Sequence, residues 1–296
     1  MYNEITSNKR KTTVLVAVFF ALLFAIGYAF SLYSGESPVI TMGFAGLIST
    51  VMALVGYYSG DSIALSSAGA KQISKESNAY LYNMVENLCI TAGMKTIPRV
   101  FVIEDPSINA FATGRDPEHS SIAVTTGAIQ LLENEELEGV LAHELAHIKN
   151  YDIRLMTIVI VLIGSIALLS DMMRFSSFRK SDDRESGPPW LALIGFLLII
   201  LSPIIAEMIK LAISRKREFL ADATGSLLTR YPEGLARALE KIRDNNRPLT
   251  HANHATAHLY FENPFRTAGK KASSFFSTHP PIEERIAALR GMTSVK

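Results

Sequence analysis

Two histidines and a glutamate in Leu141-Ala-His-Glu-Leu-Ala-His-Ile148 are spaced for metal chemistry. Leu137, Val140, Leu141, Leu145 and Ile148 recur at helical spacing, with Asn134 expected as N-cap and Glu135 and Glu136 favouring the positive end of the helix. On such a helix His143 and His147, four apart, share one face. Two imidazoles so placed can reach one Zn²⁺ at about 2.0–2.1 Å each. Glu144, beside them, offers a carboxylate able to take the proton of an attacking water. A surface helix bearing these residues without a metal is the plain alternative. The apolar, helical flanks favour the metal helix.

Two histidines do not complete a catalytic zinc site, which needs a third protein ligand and an open position. Glu218, in Ser214-Arg-Lys-Arg-Glu-Phe-Leu-Ala-Asp222, is the best third ligand. Asp222 falls one helical turn later, where it can accept the remaining N–H of a liganding imidazole. The competing reading pairs Glu218 and Asp222 with Arg215 and Arg217 on a solvated helix. Glu207 is a rival carboxylate inside an apolar run, with Lys210 one turn away as partner. Other histidines divide similarly. His251, His254 and His258 fall at i, i+3 and i+7, near a metal or on a polar surface stretch with His258 packed inward. His119 reads as a loop residue. His279, in Thr278-His-Pro-Pro281, could donate a hydrogen bond at the site or simply cap a turn.

The elements that must carry these residues are strongly apolar. Hydrophobic residues make up 48% of the 296-residue chain and charged ones 19%, a balance that points to a membrane. With a net charge of +1, electrostatics give no case for nucleic acid as a partner. The single cysteine, Cys89, excludes an intramolecular disulfide and reads as a core thiol. Four apolar segments, at 12–33, 38–58, 155–173 and 190–213, each approach the roughly 20 residues that cross a bilayer core. They suggest two membrane hairpins. Lys9, Arg10 and Lys11 set the N-terminus in the cytoplasm, and the linker at 34–37, free of Lys and Arg, lies outside. Lys210, Arg215, Lys216 and Arg217 mark the cytoplasmic side again. Arg174, Arg179, Lys180 and Arg184, between the last two segments, run against that rule, so this pair either crosses or dips in without spanning. In both cases the chain returns to the side of His147. On a continuous helix His147 would stand ~12 Å above the third segment, and Glu218 a similar ~7–13 Å beyond the fourth.

The expected organisation is a membrane hairpin at 1–58, the first part of a catalytic domain at 59–154, a second hairpin at 155–206 and the rest of the catalytic domain at 207–296. Residues 59–71, rich in Ser, Gly and Ala, suit a linker. A helix over 74–94 buries Leu81, Val85, Leu88 and Thr91, and strands follow at 99–103, 109–113 and 121–125. A last helix covers 282–289. The fold class is mainly α with a small β-sheet.

Asn109-Ala-Phe-Ala-Thr-Gly114, Val124-Thr-Thr-Gly127, His143-Glu-Leu-Ala-His147, Arg217-Glu-Phe-Leu-Ala-Asp222 and Thr278-His-Pro-Pro281, in this order with the four apolar segments, carry a specific likeness. The chain resembles the HtpX-type membrane zinc metalloproteases, relatives of the CAAX-prenyl endopeptidases. That resemblance implies a zincin-like fold, zinc bound by His143, His147 and Glu218, and Glu144 as catalytic base. It also implies an edge strand at 109–113 where an extended substrate pairs. The expected function is a zinc endopeptidase of the bacterial plasma membrane with its site on the cytoplasmic face, acting on misfolded or damaged membrane proteins. His279 would stabilise the tetrahedral oxyanion. Two alternatives stand beside it: a processing protease of CAAX type, and a non-catalytic membrane scaffold stabilised by zinc.

Overall fold

The computed structural model describes residues 2–161, 215–245, 247–250, 256–262 and 280–293. Two long helices begin the chain, α1 (Tyr2–Ser34) and α2 (Pro38–Ser67), and both are long and apolar enough to cross a membrane. Their packing explains why. Leu15, Phe19 and Leu23, one turn apart on α1, are buried, whereas Val14, Val18 and Leu32 face outward. On α2, Val39, Ile40, Phe44, Leu47 and Leu54 are exposed. Apolar surface of that extent needs lipid rather than water around it. The third apolar segment beyond residue 161 and all of the fourth fall outside the described residues, as do Glu207 and His279.

Residues 59–67, expected as linker, continue α2. Tertiary packing overrides their weak helix propensity. Ala64 and Leu65 are buried, and Gly60 lies so close to Thr157 that an added Cβ would sit 2.6 Å from the threonine methyl. The chain then forms β1 (Lys71–Gln72), α3 (Ala79–Ala92), β2 (Arg99–Ile103), β3 (Ala110–Asp116), β4 (His119–Thr125) and α4 (Thr126–Leu131). Helix α3 starts later than the sequence suggests because the Asn78 side chain caps it, accepting from Leu81 N at 3.0 Å. Its buried face runs through Leu81, Val85, Leu88 and Cys89 to Ala92, while Thr91 is exposed. Burial pushes the Cys89 thiol up to about 12, as befits an inert core residue.

The strands order as β1-β2-β4-β3, with β2 and β4 parallel and the outer pairs antiparallel. Strands β3 and β4 run longer than expected and meet in a tight hairpin at Pro117-Glu118, so His119 opens a strand and pairs with Asp116. Alternation sorts the sheet's two faces. Val100, Ala110, Ala112, Ile122 and Val124 join the main core, while Phe101, Ile103, Phe111 and Ala123 pack with Ala64, Leu65 and Met156.

Helix α5 (Asn134–Lys149) carries the histidines. Glu133 rather than Asn134 is its N-cap, and the Glu133 backbone N–H donates to Glu136 Oε2 at 2.8 Å. The helix does not continue into the third apolar segment. Asn150 ends it, Tyr151 adopts a left-handed φ of 61°, and a new helix, α6, runs through residues 152–161. Leu155, Ile158 and Val159 of α6 pack on Leu15, Phe19 and Leu23 of α1. Helices α7 (Arg215–Thr229), α8 (Pro232–Asp244) and α9 (Ile282–Thr293) follow, with a short 3₁₀ turn at Ala257–Leu259. Leu235, Leu239 and Ile242 of α8 close the core over Leu137 and Leu141 of α5.

Candidate active site

Residues 136–148 of α5 are buried save for Glu138, so this helix forms the centre of the domain rather than its surface. His143 and His147 point the same way, with their Nε2 atoms 3.0 Å apart and ring planes at 84°. Glu218 of α7 meets them: its Oε2 lies 3.8 Å from His143 Nε2 and its Oε1 3.6 Å from His147 Nε2. Glu144 is buried beside them. Helix α7 can come this close because Gly225 faces α5, where a Cβ would stand 2.9 Å from the His143 backbone nitrogen. The structure thus brings together His143, His147, Glu218 and Asp222, while His279, His251 and His254 lie outside the described residues. His258 is packed inward, its Nε2–H donating to Met156 O at 3.0 Å.

Carboxylates hold both rings from behind. Asp222 Oδ1 is 2.9 Å from His143 Nδ1, and Asp152 Oδ2 is 2.9 Å from His147 Nδ1. A carboxylate accepts, so each Nδ1 carries a proton and each ring turns its Nε2 toward the other. Two Nε2 atoms 3.0 Å apart must share a cation, a proton in the metal-free site or a metal ion in its place. The three donors also fit the ion they would hold. Tetrahedral ligands about 2.0–2.1 Å from zinc stand about 3.3 Å from one another, within the 3.0–3.8 Å separations found here. Among the described residues this donor cluster has three members, all buried.

Sequence reasoning missed two supports. Asp152 is five residues past His147, which on a continuous helix would put it well round the cylinder. The break at Tyr151 folds it back instead. Arg285 of α9 is fully buried and grips Asp222 with two bonds, Nε to Oδ2 at 2.9 Å and Nη2 to Oδ1 at 2.7 Å. Its position at i+3 from Ile282 and i−4 from Leu289, on an apolar stripe, was the available signal. Arg285 also lies over the Phe261 ring, which packs edge-on to His143 at 4.8 Å. Burial would raise the Asp222 carboxyl, but Arg285 outweighs it and holds the group at about 2.

Strand β3 lies at the sheet edge. Its Ala110 carbonyl accepts from Phe261 N at 2.8 Å, and Gly114 N donates to Thr157 Oγ1 at 3.1 Å.

The model of peptidase family M48 matches residues 75–293. The chain belongs to peptidase family M48. Curated relatives named "Protease HtpX homolog" match nearly end to end. That of Dictyoglomus turgidum is 44% identical over 293 residues, covering 98% of this chain and 94% of its own. Those of Tropheryma whipplei strain Twist and Streptococcus gordonii are 42% and 41% identical, each covering 99% of this chain and 98% and 100% of their own. The chain is therefore a membrane metalloendopeptidase of family M48, acting on protein substrates. Among solved structures, the crystal structure of S. mikatae Ste24p superposes with a TM-score of 0.52 at 20% identity, covering 98% of this chain and 67% of that one. This likeness concerns the fold, which is zincin-like.

Proposed function

We propose that the chain hydrolyses peptide bonds with one zinc ion held by His143, His147 and Glu218, and with Glu144 as general base. The facing Nε2 atoms of His143 and His147, 3.0 Å apart and each backed by a carboxylate, are the observation that carries this reading. Zinc bound there supplies Lewis acidity toward a water and the scissile carbonyl. Glu144 takes the water's proton and returns it to the leaving amine. Asp222 and Asp152 keep both imidazoles in the tautomer that presents Nε2, and Arg285 fixes Asp222. His279 is assigned the oxyanion. An extended substrate pairing along β3 would take the place of Phe261 on the Ala110 carbonyl and of Thr157 on the Gly114 N–H.

We place this site on the cytoplasmic face of the bacterial plasma membrane, beneath two membrane hairpins. Support comes from α1. Asn8 reaches Asp152, so the N-terminal end of α1 and the site share one side, and Lys9, Arg10 and Lys11 favour the cytoplasm for that end. Tyrosines and cations alternate at the same level. Lys9 lies over Tyr151, Arg154 over Tyr151 and Tyr57, and Arg115 over Tyr57 and Tyr58. Tyr57 is about 30 Å along α2 from the hairpin turn, the thickness of a hydrocarbon core. A site held just above such a belt favours misfolded or damaged membrane proteins as substrates.

Zinc content of the purified full chain, measured with cleavage of an unfolded membrane protein, tests the assignment. Wild type should hold one zinc per chain, and Glu218→Ala should lose most of it together with cleavage. Stoichiometric zinc in Glu218→Ala would remove Glu218 from the ligand set. Cleavage confined to one processed substrate would favour the CAAX-type alternative.

A further inference from the structure

The mostly polar residues 2–10 form the first turns of the membrane-length helix α1, so their side chains are expected in water or among headgroups. Asn8 is instead buried, with 1% of its surface exposed. Its amide is fully used. Nδ2 donates to Asp152 Oδ1 at 2.6 Å and to Asn150 O at 3.0 Å, and Oδ1 accepts from Arg217 Nη1 at 3.3 Å. Each partner bears on the proposed metal site. Asp152 accepts from His147 Nδ1, Asn150 ends the histidine helix, and Arg217 immediately precedes Glu218.

We infer that Asn8 is a positioning residue of the metal site, so that α1 completes this site as well as anchoring the chain. The inference rests on the reading of His143, His147 and Glu218 as ligands. A buried carboxylate keeps one rotamer only while donors hold both its oxygens. Asp152 has His147 on one oxygen and Asn8 on the other, with Arg217 Nε more distant at 3.8 Å. Removing the amide frees Asp152 to turn toward Arg217 and away from His147. The imidazole then loses the acceptor that fixes its Nδ1–H tautomer and the direction of Nε2. The same amide pins the turn at Asn150–Asp152, without which Asp152 would not face His147 at all. A membrane-length helix and the catalytic domain therefore meet in a single hydrogen-bond network one residue away from a ligand.

The test uses the full chain in lipid nanodiscs, with zinc affinity read by competition against a chromophoric chelator and site geometry by the visible spectrum of the cobalt-substituted protein. Asn8→Leu, close in shape, should weaken zinc binding about tenfold, the low end of the range for partners of ligating histidines, and alter the cobalt spectrum. Asp152→Ala should weaken it by up to about a hundredfold. Because Asn8 acts through Asp152, the double variant should bind no more weakly than Asp152→Ala alone. Phe19→Ala removes a buried α1 side chain from the cluster that packs α1 on α6, about three helical turns along α1 from Asn8. It should lower thermal stability and leave zinc affinity and spectrum unchanged. Wild-type affinity and spectrum in Asn8→Leu would overturn the inference, as would losses that simply multiply in the double variant. Should Asn8→Leu not fold, Asn8→Ser is read the same way, with a smaller loss expected and an unchanged affinity counting against. His143→Ala is the separate control. If it keeps zinc, the ligand assignment fails and takes this inference with it; if it loses zinc while Asn8→Leu does not, only the role of Asn8 fails.

Discussion

His143 and His147 stand one turn apart on one helix, each with Nδ1 2.9 Å from a carboxylate, yet their surroundings drive them in opposite directions. Burial pushes the His143 imidazole down to about 4, and the hydrogen bond to Asp222 does not restore it, since His147 and Arg285 add positive charge nearby. Burial also pushes His147 down, but the hydrogen bond to Asp152 and the charges of Glu218, Asp152 and Glu144 outweigh it and carry the group up to about 9. The contrast begins with Glu218 and Glu144, whose charges raise His147, and with the charge of His147 itself, which lowers His143 more than Arg285 does. Asp222 is clamped by the guanidinium of Arg285, whereas Asp152 is held by the neutral amide of Asn8, with Arg217 at 3.8 Å. One flank is a buried ion pair and the other an amide network. In the metal-free protein the proton shared between the two Nε2 atoms therefore sits on His147.

The largest expected difference between the flanks is in stability. Asp222→Ala strips the fully buried Arg285 of its two-bond partner and should cost about 3–5 kcal/mol of unfolding free energy. Asp152→Ala breaks no ion pair of that closeness and should act chiefly on zinc affinity. Equal losses in denaturant unfolding would break the comparison. Next in size is Gly225→Ala. Its Cβ would press on the backbone of Ala142 and His143, pushing α7 and Glu218 away, with an expected cost of about 1–3 kcal/mol and weaker zinc binding. A variant as stable and zinc-avid as wild type would mean that α7 docks less tightly than described.

The smallest effect concerns protons. At pH 7 His147, raised to about 9, must give up its proton to admit a metal, while His143, lowered to about 4, is already neutral. Zinc entry should release about one proton, seen by calorimetry in buffers of differing ionisation enthalpy, and affinity should rise about tenfold per pH unit until about pH 9. Stability of the metal-free protein follows the opposite course there. The raised His147 contributes fully below its unfolded value of 6.5 and loses that contribution as pH climbs to about 9. The lowered His143 costs stability as pH falls from 6.5 toward 4. Taken together these two groups give a metal-free maximum near pH 6.5. A metal-free melting temperature still rising from pH 6.5 to 9 would contradict the assignment of the proton.

What was legible in the sequence depended on helical periodicity. His143, His147, Glu218 and Asp222 lie four apart in two pairs, so each pair is found on one face without knowledge of the tertiary fold. Asp152 was hidden by the left-handed turn at Tyr151, which defeats any periodic count. Arg285 was half visible, a charge on an apolar stripe that had to have a buried partner. Asn8 left no trace, because its burial comes from docking between distant parts of the chain. Residues 59–67 misled for a similar reason. Small residues that read as linker are the ones that let α2 lie against Thr157 and the sheet. The strands, by contrast, follow their alternation closely, with ends shifted by a tight hairpin.

The most direct test of the catalytic account compares the purified chain with Glu144→Gln, measuring bound zinc and cleavage of an unfolded membrane protein in the same preparations. Both proteins should hold one zinc, removable by chelation, and Glu144→Gln should lose at least about 10²–10⁴-fold in cleavage rate. Zinc-loaded Glu144→Gln that cleaves at the wild-type rate would contradict the role of Glu144 and, with it, the reading of this helix as the catalytic centre.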